Sequence, residues 1–246
     1  MCYDESDLVP VPPGEEHPVR GAELELTAAD GSRVAAFLAR PERPAGPAIV
    51  LLPDAGGLDP FYRELAGRFA GLGHPTLAID YYGRTAASPA RDGRFDYLPH
   101  QRRLLRDTML LDVAAAVQRL GGRPYVLGFC LGGATALLAG TTGIDVAGVV
   151  AFYPWTGDLG REPALPDAFV AGVRVPVLGL FGGADEVVPA AVPRAFDEHL
   201  TAAGVPHELV VYPGAPHGFF ERHYLDREVR PDTVDDVWRR LAAFLV

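Results

Sequence analysis

Cysteine is scarce in this chain, which contains two in 246 residues, Cys2 and Cys130. Cys2 lies in an acidic N-terminal segment and Cys130 follows an apolar run, so we expect no structural disulfide between them. No Cys/His grouping has metal-ligand spacing, and no glycine-rich phosphate loop occurs. The sequence therefore contains no pattern typical of a metal site or a nucleotide phosphate site.

The chain also lacks an uninterrupted apolar stretch long enough to span a bilayer. Its first seven residues are acidic and do not contain the apolar segment of a signal peptide. The formal net charge of -10 argues against nucleic acid and anionic membranes as partners. We therefore expect a cytoplasmic protein that binds a small molecule and is a monomer or a small homo-oligomer.

The order of apolar runs and helical patterns predicts the fold class. Residues 1–18, rich in proline and acidic side chains, are expected to form an extended arm, and 19–246 a single domain. Strands are predicted at 22–27, 33–40, 48–52, 76–79, 125–127, 146–153, 175–181 and 208–212, and helices at 60–72, 99–120, 190–203 and from 232 onward. Asp30-Gly31 predicts a hairpin between the first two strands. This alternation predicts an α/β fold with a mostly parallel, doubly wound sheet and helices on both faces.

The predicted helix at 99–120 has an apolar face and a charged one. Its apolar side chains recur at helical spacing and are Leu105, Met109, Val113, Val117 and Leu120. The arginines expected to face solvent are Arg102, Arg103 and Arg106. The segment before it, 84–98, shows no periodicity and is expected to be a long loop.

The most informative motif is Gly128-Phe-Cys-Leu-Gly-Gly133, between an apolar run and a segment rich in helix formers. Strand, sharp turn and helix around Gly-x-nucleophile-x-Gly form the nucleophile elbow of α/β-hydrolases, with Cys130 here in the place of serine. The elbow residue holds a strained backbone, so the residues two away must lack bulk. The N–H groups that begin the following helix favour a thiolate or an oxyanion. A lone cysteine in an apolar segment is otherwise a small buried side chain.

Further reactive side chains follow other predicted strands, where functional groups gather in open α/β sheets. They are Asp54, Asp185 and His217. Cys130, Asp185 and His217 come in the chain order of an α/β-hydrolase triad. In this hypothesis Cys130 attacks an acyl carbon as a thiolate and His217 serves as base and later as acid, while Asp185 fixes the imidazole tautomer.

The oxyanion hole is expected to use two backbone N–H groups. One belongs to Leu131, the residue after the nucleophile, and the other to Ala55 in the loop after the third predicted strand. Asp54 and Tyr153 are candidates for contact with substrate.

Each side chain also has a simpler interpretation. Asp185 could cap a helix or close a turn, and His217 could be an ordinary loop histidine. Asp54 could be only a turn former, while Tyr153 and Trp155 are as consistent with the core as with a pocket wall. The histidines in less favourable positions are His199, His207 and His223.

At these residues the chain resembles the dienelactone hydrolase family. The motifs that carry the resemblance are Gly128-Phe-Cys-Leu-Gly-Gly133, Gly182-Gly-Ala-Asp185, Pro216-His-Gly-Phe219 and Asp80-Tyr-Tyr-Gly-Arg84. The resemblance implies a single-domain α/β-hydrolase with a Cys-His-Asp triad and no cofactor. It also implies the opening of an enol-lactone (carboxymethylenebutenolidase activity) or the hydrolysis of another ester.

The chain departs from the family pattern at the substrate site. The resemblance implies a glutamate that holds the cysteine as a thiol, and Asp54 stands at that position. It also implies arginines that bind a substrate carboxylate, and one matching position holds Glu221, with Arg222 next to it. The other falls in the irregular region, where the candidates are Arg94, Arg102 and Arg103.

Two hypotheses about function remain open. The first is a cysteine-dependent hydrolase of an ester or lactone that forms an acyl-enzyme, and a thioesterase would differ from it only in the leaving group. The second is a non-catalytic ligand-binding or thiol-sensing protein on the same fold, which the residues found at Asp54 and Glu221 would also fit.

Overall fold

The computed structural model describes residues 9–14, 17–86, 91, 95–221 and 231–246. The strands are β1 Val19–Thr27, β2 Arg33–Pro41, β3 Ile49–Leu52, β4 Thr76–Ile79, β5 Tyr125–Phe129, β6 Val149–Phe152, β7 Val177–Gly182 and β8 His207–Tyr212. The α-helices are α1 Pro60–Gly71, α2 Leu98–Gln101, α3 Arg106–Leu120, α4 Leu131–Thr141, α5 Ala191–Ala202 and α6 Pro231–Phe244. None of the helices in the described ranges has the length and apolar character needed to cross a membrane.

The strands form one sheet in the order β1-β2-β4-β3-β5-β6-β7-β8. The pairs β1–β2 and β2–β4 are antiparallel, and every other neighbouring pair is parallel. Every residue of β3, β4, β5 and β6 is buried. Because side chains alternate between the two faces of a sheet, other parts of the chain cover both faces of its centre. The predicted α/β class and the mostly parallel sheet are confirmed.

The hairpin at the start of the domain is confirmed. Gly31 has a positive φ of 81° and the Ser32 N–H donates to Asp30 Oδ1 at 3.0 Å, as expected for a tight turn. β1 begins three residues earlier than predicted because Val19 pairs with Pro41 at the far end of β2. Of the predicted arm, residues 1–8 and 15–16 lie outside the described residues, while Val9 is buried.

The helix predicted at 99–120 is wrong in one respect, because it is two helices. α2 ends at Gln101, and α3 starts only after Leu105, whose backbone is extended with φ -128° and ψ 136°. The break lets Leu104 turn into the core, where it is 1% exposed, and leaves Leu105 43% exposed. Arg106 was expected to face solvent, yet its backbone N–H and side chain contact Glu162. A contact with a distant segment therefore overrides the helical periodicity.

Close packing between α4 and the end of β3 positions the predicted elbow. A Cβ atom at Gly132 would lie 2.4 Å from the carbonyl oxygens of Leu52 and Pro53. A Cβ at Gly128 would lie 2.1 Å from the carbonyl oxygen of Gly132 itself. Since all of these neighbours are backbone atoms, no side-chain rearrangement could make room, and glycine is required at both positions.

Replacing Gly132 by alanine should therefore destabilise the protein. We expect G132A to lower the free energy of unfolding by about 1–3 kcal/mol, the usual cost of overpacking a core. Gly67 provides the matched control, because it lies on α1 and a methyl group added there would have nothing within 4 Å. G67A should raise the free energy of unfolding by about 0.5–1 kcal/mol through helix propensity. Urea denaturation of both variants measures this, and equal stability of the two would contradict the packing argument.

Candidate active site

Cys130 lies at a sharp turn between β5 and α4 with φ 50° and ψ -111°. A positive φ is strained for any side chain other than glycine, and three backbone hydrogen bonds hold Cys130 in it. Its N–H donates to the Phe152 carbonyl at 3.0 Å, and its carbonyl accepts from Ala134 and Trp155 at 3.1 and 2.9 Å. Cys130 is a free thiol and is 6% exposed. The predicted strand, turn and helix are all present.

His217 and Asp185 are hydrogen-bonded to each other. His217 Nδ1 lies 2.8 Å from Asp185 Oδ2. The second carboxylate oxygen accepts from the backbone N–H groups of Val187 and Val188, at 2.7 and 2.8 Å. The Asp185 side chain is 1% exposed and that of His217 is 11% exposed. The carboxylate is therefore fixed on both sides, and its bond to Nδ1 leaves Nε2 as the ring nitrogen that faces away from Asp185.

Both simpler interpretations of these two residues are incomplete. Asp185 does close a turn, through Val187 and Val188, but the same carboxylate also holds the imidazole. Among the weaker histidine candidates, His207 contacts Asp197 and the Val205 carbonyl, while His223 lies outside the described residues. The remaining candidate, His199, lies on α5.

Tyr153 follows β6 and packs against the imidazole. Its ring centroid is 5.0 Å from that of His217, with the ring planes at 65°. Tyr153 is fully buried and has a positive φ of 34°, an uncommon conformation for a bulky residue. Its N–H donates to the Leu180 carbonyl at 2.7 Å. Tyr153 is thus a core residue that also forms part of the wall around His217.

Three buried tyrosine hydroxyls hold the loop that contains Ala55. Tyr81 donates to the Pro53 carbonyl at 3.0 Å, and Tyr82 donates to the Ala55 carbonyl at 2.7 Å. The Asp54 N–H donates to the Tyr62 hydroxyl at 3.0 Å. Sequence patterns do not identify these tyrosines, because their partners are backbone atoms of a distant segment. The loop of residues 53–57 is therefore rigidly placed beside the start of α4.

Asp54 is fully buried in that loop. Its Oδ1 accepts from the Gly56 N–H at 2.7 Å, so it does act as the turn former that the sequence allowed. It also lies close enough to Glu221 to raise the pKa of that carboxyl. Contact between Asp54 and a substrate stays a prediction.

Glu221 is a buried acid whose contacts the sequence patterns do not reveal. It is fully buried, and the Tyr62 hydroxyl donates to its Oε1. Burial raises the pKa of Glu221 well above its ordinary value, and the charge of Asp54 raises it further, while hydrogen bonds from Tyr62 and Tyr153 and the charge of His217 oppose this. The Tyr62 hydroxyl therefore connects Glu221 with the Asp54 N–H.

The arginines of this region are mostly engaged in ion pairs. Arg91 is 2% exposed and binds Asp80, the residue that also caps the turn at Tyr81–Arg84. Arg84 pairs with Asp112 and Asp30. The motif Asp80-Tyr-Tyr-Gly-Arg84 thus anchors its own loop. Of the other arginine candidates, Arg94 and Arg222 lie outside the described residues, while Arg102 and Arg103 are exposed.

Asp59 is a further buried acid behind the loop. It caps α1 by accepting from the Tyr62 N–H at 3.2 Å and is 4% exposed. Burial, and then the charge of Asp54, raise the pKa of Asp59 from 3.8 to about 8. The Asp59 carboxyl therefore binds its proton more tightly in the folded protein than in the unfolded chain.

The raised pKa predicts how Asp59 affects stability. Between about pH 4 and pH 8 the folded state retains a proton that the unfolded state has lost, so the contribution of Asp59 to the free energy of unfolding falls as pH rises. The slope for one such proton approaches about 1.4 kcal/mol per pH unit. In D59N, which keeps a capping side chain, this fall should disappear. Urea denaturation from pH 4 to 8, with the exposed D145N as control, tests it. Parallel curves for wild type and D59N would contradict the prediction.

The bridging hydroxyl of Tyr62 should contribute measurably to stability. Y62F removes the acceptor of the Asp54 N–H and the donor to Glu221, and leaves both groups buried. We expect a loss of about 1–3 kcal/mol in the free energy of unfolding. Y212F is the matched control, because the part-buried hydroxyl of Tyr212 donates to Asp236, which Arg240 also binds, and its loss should matter less. Equal losses for Y62F and Y212F in urea denaturation would show that the bridge does not stabilise the loop.

Comparison with known proteins places this site in a family. The family model described as "Dienelactone hydrolase family" matches residues 34–246. A carboxymethylenebutenolidase of Rhodococcus opacus is 30% identical over 99% of this chain and 96% of its own length. A candidate carboxymethylenebutenolidase of Escherichia coli O157:H7 is 29% identical over 86% of this chain and 81% of its own. The crystal structure of a candidate dienelactone hydrolase of Klebsiella pneumoniae superposes with a TM-score of 0.80 at 24% identity, over 93% of this chain and 99% of that chain. The chain therefore belongs to the dienelactone hydrolase family of α/β-hydrolases.

Proposed function

We propose that the protein is a cysteine-dependent hydrolase of a small ester or lactone, with Cys130, His217 and Asp185 as its triad. Membership of the dienelactone hydrolase family already makes it a hydrolase that acts on ester or lactone bonds. The observation that carries the finer proposal is the hydrogen bond between His217 and Asp185. Asp185 follows β7 and His217 follows β8, and both strands belong to the sheet in which β5 ends at the strained Cys130. Parallel neighbours end at the same edge of a sheet, where catalytic groups of this fold gather.

The reaction would proceed through an acyl-enzyme. Cys130 transfers its thiol proton to Nε2 of His217, and its sulfur attacks the acyl carbon to give a tetrahedral oxyanion. When the oxyanion collapses, the bond to the leaving oxygen breaks and that oxygen takes the proton from His217. Water, which loses a proton to His217, then attacks the thioester and releases the carboxylic acid and the free thiol. Asp185 stabilises the imidazolium in both halves of the reaction.

The oxyanion would bind to the backbone N–H groups of Leu131 and Ala55. Leu131 is the first residue of α4, so its N–H has no partner within the helix. Among the described residues, neither N–H donates to another group of the protein. The tyrosine contacts of Pro53, Asp54 and the Ala55 carbonyl support the second donor, because they hold its loop in place.

Substitution of the triad residues should abolish turnover of p-nitrophenyl acetate. We expect C130A and H217A to lower kcat/KM by about 10³-fold or more, and D185N by less, because a mispositioned imidazole retains some function. H199A is the control and should keep wild-type activity, because His199 lies in the last turn of α5 and is not part of the proposed triad. Turnover that survives both C130A and H217A would rule out the triad.

The acyl-enzyme provides an independent test. Rapid acid quenching during turnover should trap one acetyl group on the peptide that contains Cys130, in a C2S background that removes the only other cysteine. D185N should slow formation of this adduct without moving it to another residue. An acetyl group found elsewhere, or a modified Cys130 that is never deacylated, would contradict the hydrolytic cycle and favour a thiol-sensing protein.

A further inference from the structure

We infer that the site contains a specificity pocket for a short, uncharged acyl group, between the loop after β6 and the start of α5. The inference rests on the proposed function, because it names the class of substrate for that same site. The pocket has a volume of about 160 Å³. Its apolar lining is formed by Pro154, Trp155, Val187, Val188, Pro189 and Val192.

The pocket lies next to the proposed catalytic groups on two sides. On one side the Trp155 N–H donates to the Cys130 carbonyl at 2.9 Å, and a Cβ at Gly133 would be 3.2 Å from Cα of Pro154. On the other side the N–H groups of Val187 and Val188 bind Asp185. The backbone that forms the pocket is thus the backbone that fixes the nucleophile and the acid. In the acyl-enzyme the acyl group is attached to Cys130, so it is the part of the substrate held nearest to this pocket.

The size of the pocket limits the acyl group. A cavity of about 150 Å³ is large enough to bind benzene, so about 160 Å³ corresponds to a chain or ring of about four to six carbon atoms. Val187, at the outer edge, is 48% exposed, while Val188 and Val192 are buried. The pocket therefore opens to solvent beside Val187 and ends against α5.

The charges around the pocket favour an uncharged group. Arg106 reaches the lining by donating to the Gly157 carbonyl at 2.9 Å, but it also faces Glu162, so its charge is already balanced. Asp54, a fully buried acid in the loop after β3, adds negative charge to this region, whereas burial raises the pKa of Glu221 and favours its neutral form. A carboxylate on the acyl group would lose water without gaining a counterion among the described residues, which is unfavourable.

The length of the acyl chain provides the first test. For p-nitrophenyl esters from acetate to octanoate, kcat/KM should rise about fourfold with each added methylene up to about five carbons, the gain expected for burying one methylene, and then fall. V192F should fill the inner end of the pocket and lower the ratio of kcat/KM for hexanoate to that for acetate at least about tenfold. V211F adds the same ring at an exposed site on β8 and should leave the profile unchanged.

The charge of the acyl group provides the second test. Mono-p-nitrophenyl glutarate, which ends in a carboxylate, should react at least about tenfold more slowly than p-nitrophenyl hexanoate, which is similar in length. If C130A abolishes acetate turnover but the length profile is flat and V192F does not change it, the pocket inference is wrong and the proposed function stands. A preference for the glutarate ester would also overturn the inference.

A binding measurement keeps the inference testable even if turnover does not depend on Cys130. Pentanamide is a neutral analogue that should not react, and its binding should change the fluorescence of Trp155 in a W238F background, since the chain contains only these two tryptophans. V192F should weaken this binding at least about tenfold, and V211F should not. If pentanamide causes no fluorescence change in the W238F protein, which retains Val192, the pocket inference is wrong.

Discussion

The site depends on the close contact between the first turn of α4 and the carbonyl groups that end β3. Cys130 can keep a backbone with positive φ only because Gly128 and Gly132 bring backbone against backbone at distances that no Cβ would tolerate. The same contact places the loop of residues 53–57 beside the start of α4. Nucleophile, helix N-terminus and neighbouring loop are therefore fixed by one packing constraint, and the strain at Cys130 is offset by the burial around it.

Buried polar contacts then give this packing a single arrangement. Tyr62, Tyr81 and Tyr82 each place a hydroxyl on the backbone of the 53–57 loop, and Asp185 uses both carboxylate oxygens to hold a turn and an imidazole. In a low-dielectric interior such bonds are strong, and leaving a partner unsatisfied is costly. An apolar core alone would tolerate small shifts of the loop, whereas these contacts permit few. Rigid donors are what stabilisation of a developing oxyanion requires.

Sequence patterns were sufficient where local chemistry decides the structure. The strand ends, the hairpin at Gly31 and the elbow at Cys130 follow from residue types at short spacing. The pairing of His217 with Asp185 was predictable from chain order and strand ends. The patterns failed where a distant segment determines the local backbone conformation. At Leu105, the contact of Arg106 with Glu162 breaks the predicted helix. They also gave no signal for the burial of Glu221, since its partner Tyr62 lies 159 residues away.

The buried acids also bear on how the nucleophile could be charged. Burial raises the pKa values of Asp59 and Glu221, so these acids hold protons at pH values where exposed carboxyls have lost them. Neutral acids behind the 53–57 loop add no negative charge to the region in which the proposed mechanism creates a thiolate and then an oxyanion. Charge stabilisation is then left to His217 and to the N-terminal N–H groups of α4, which lie at the nucleophile itself. An acid at position 221 is consistent with catalysis provided that it stays protonated, and its complete burial favours that form.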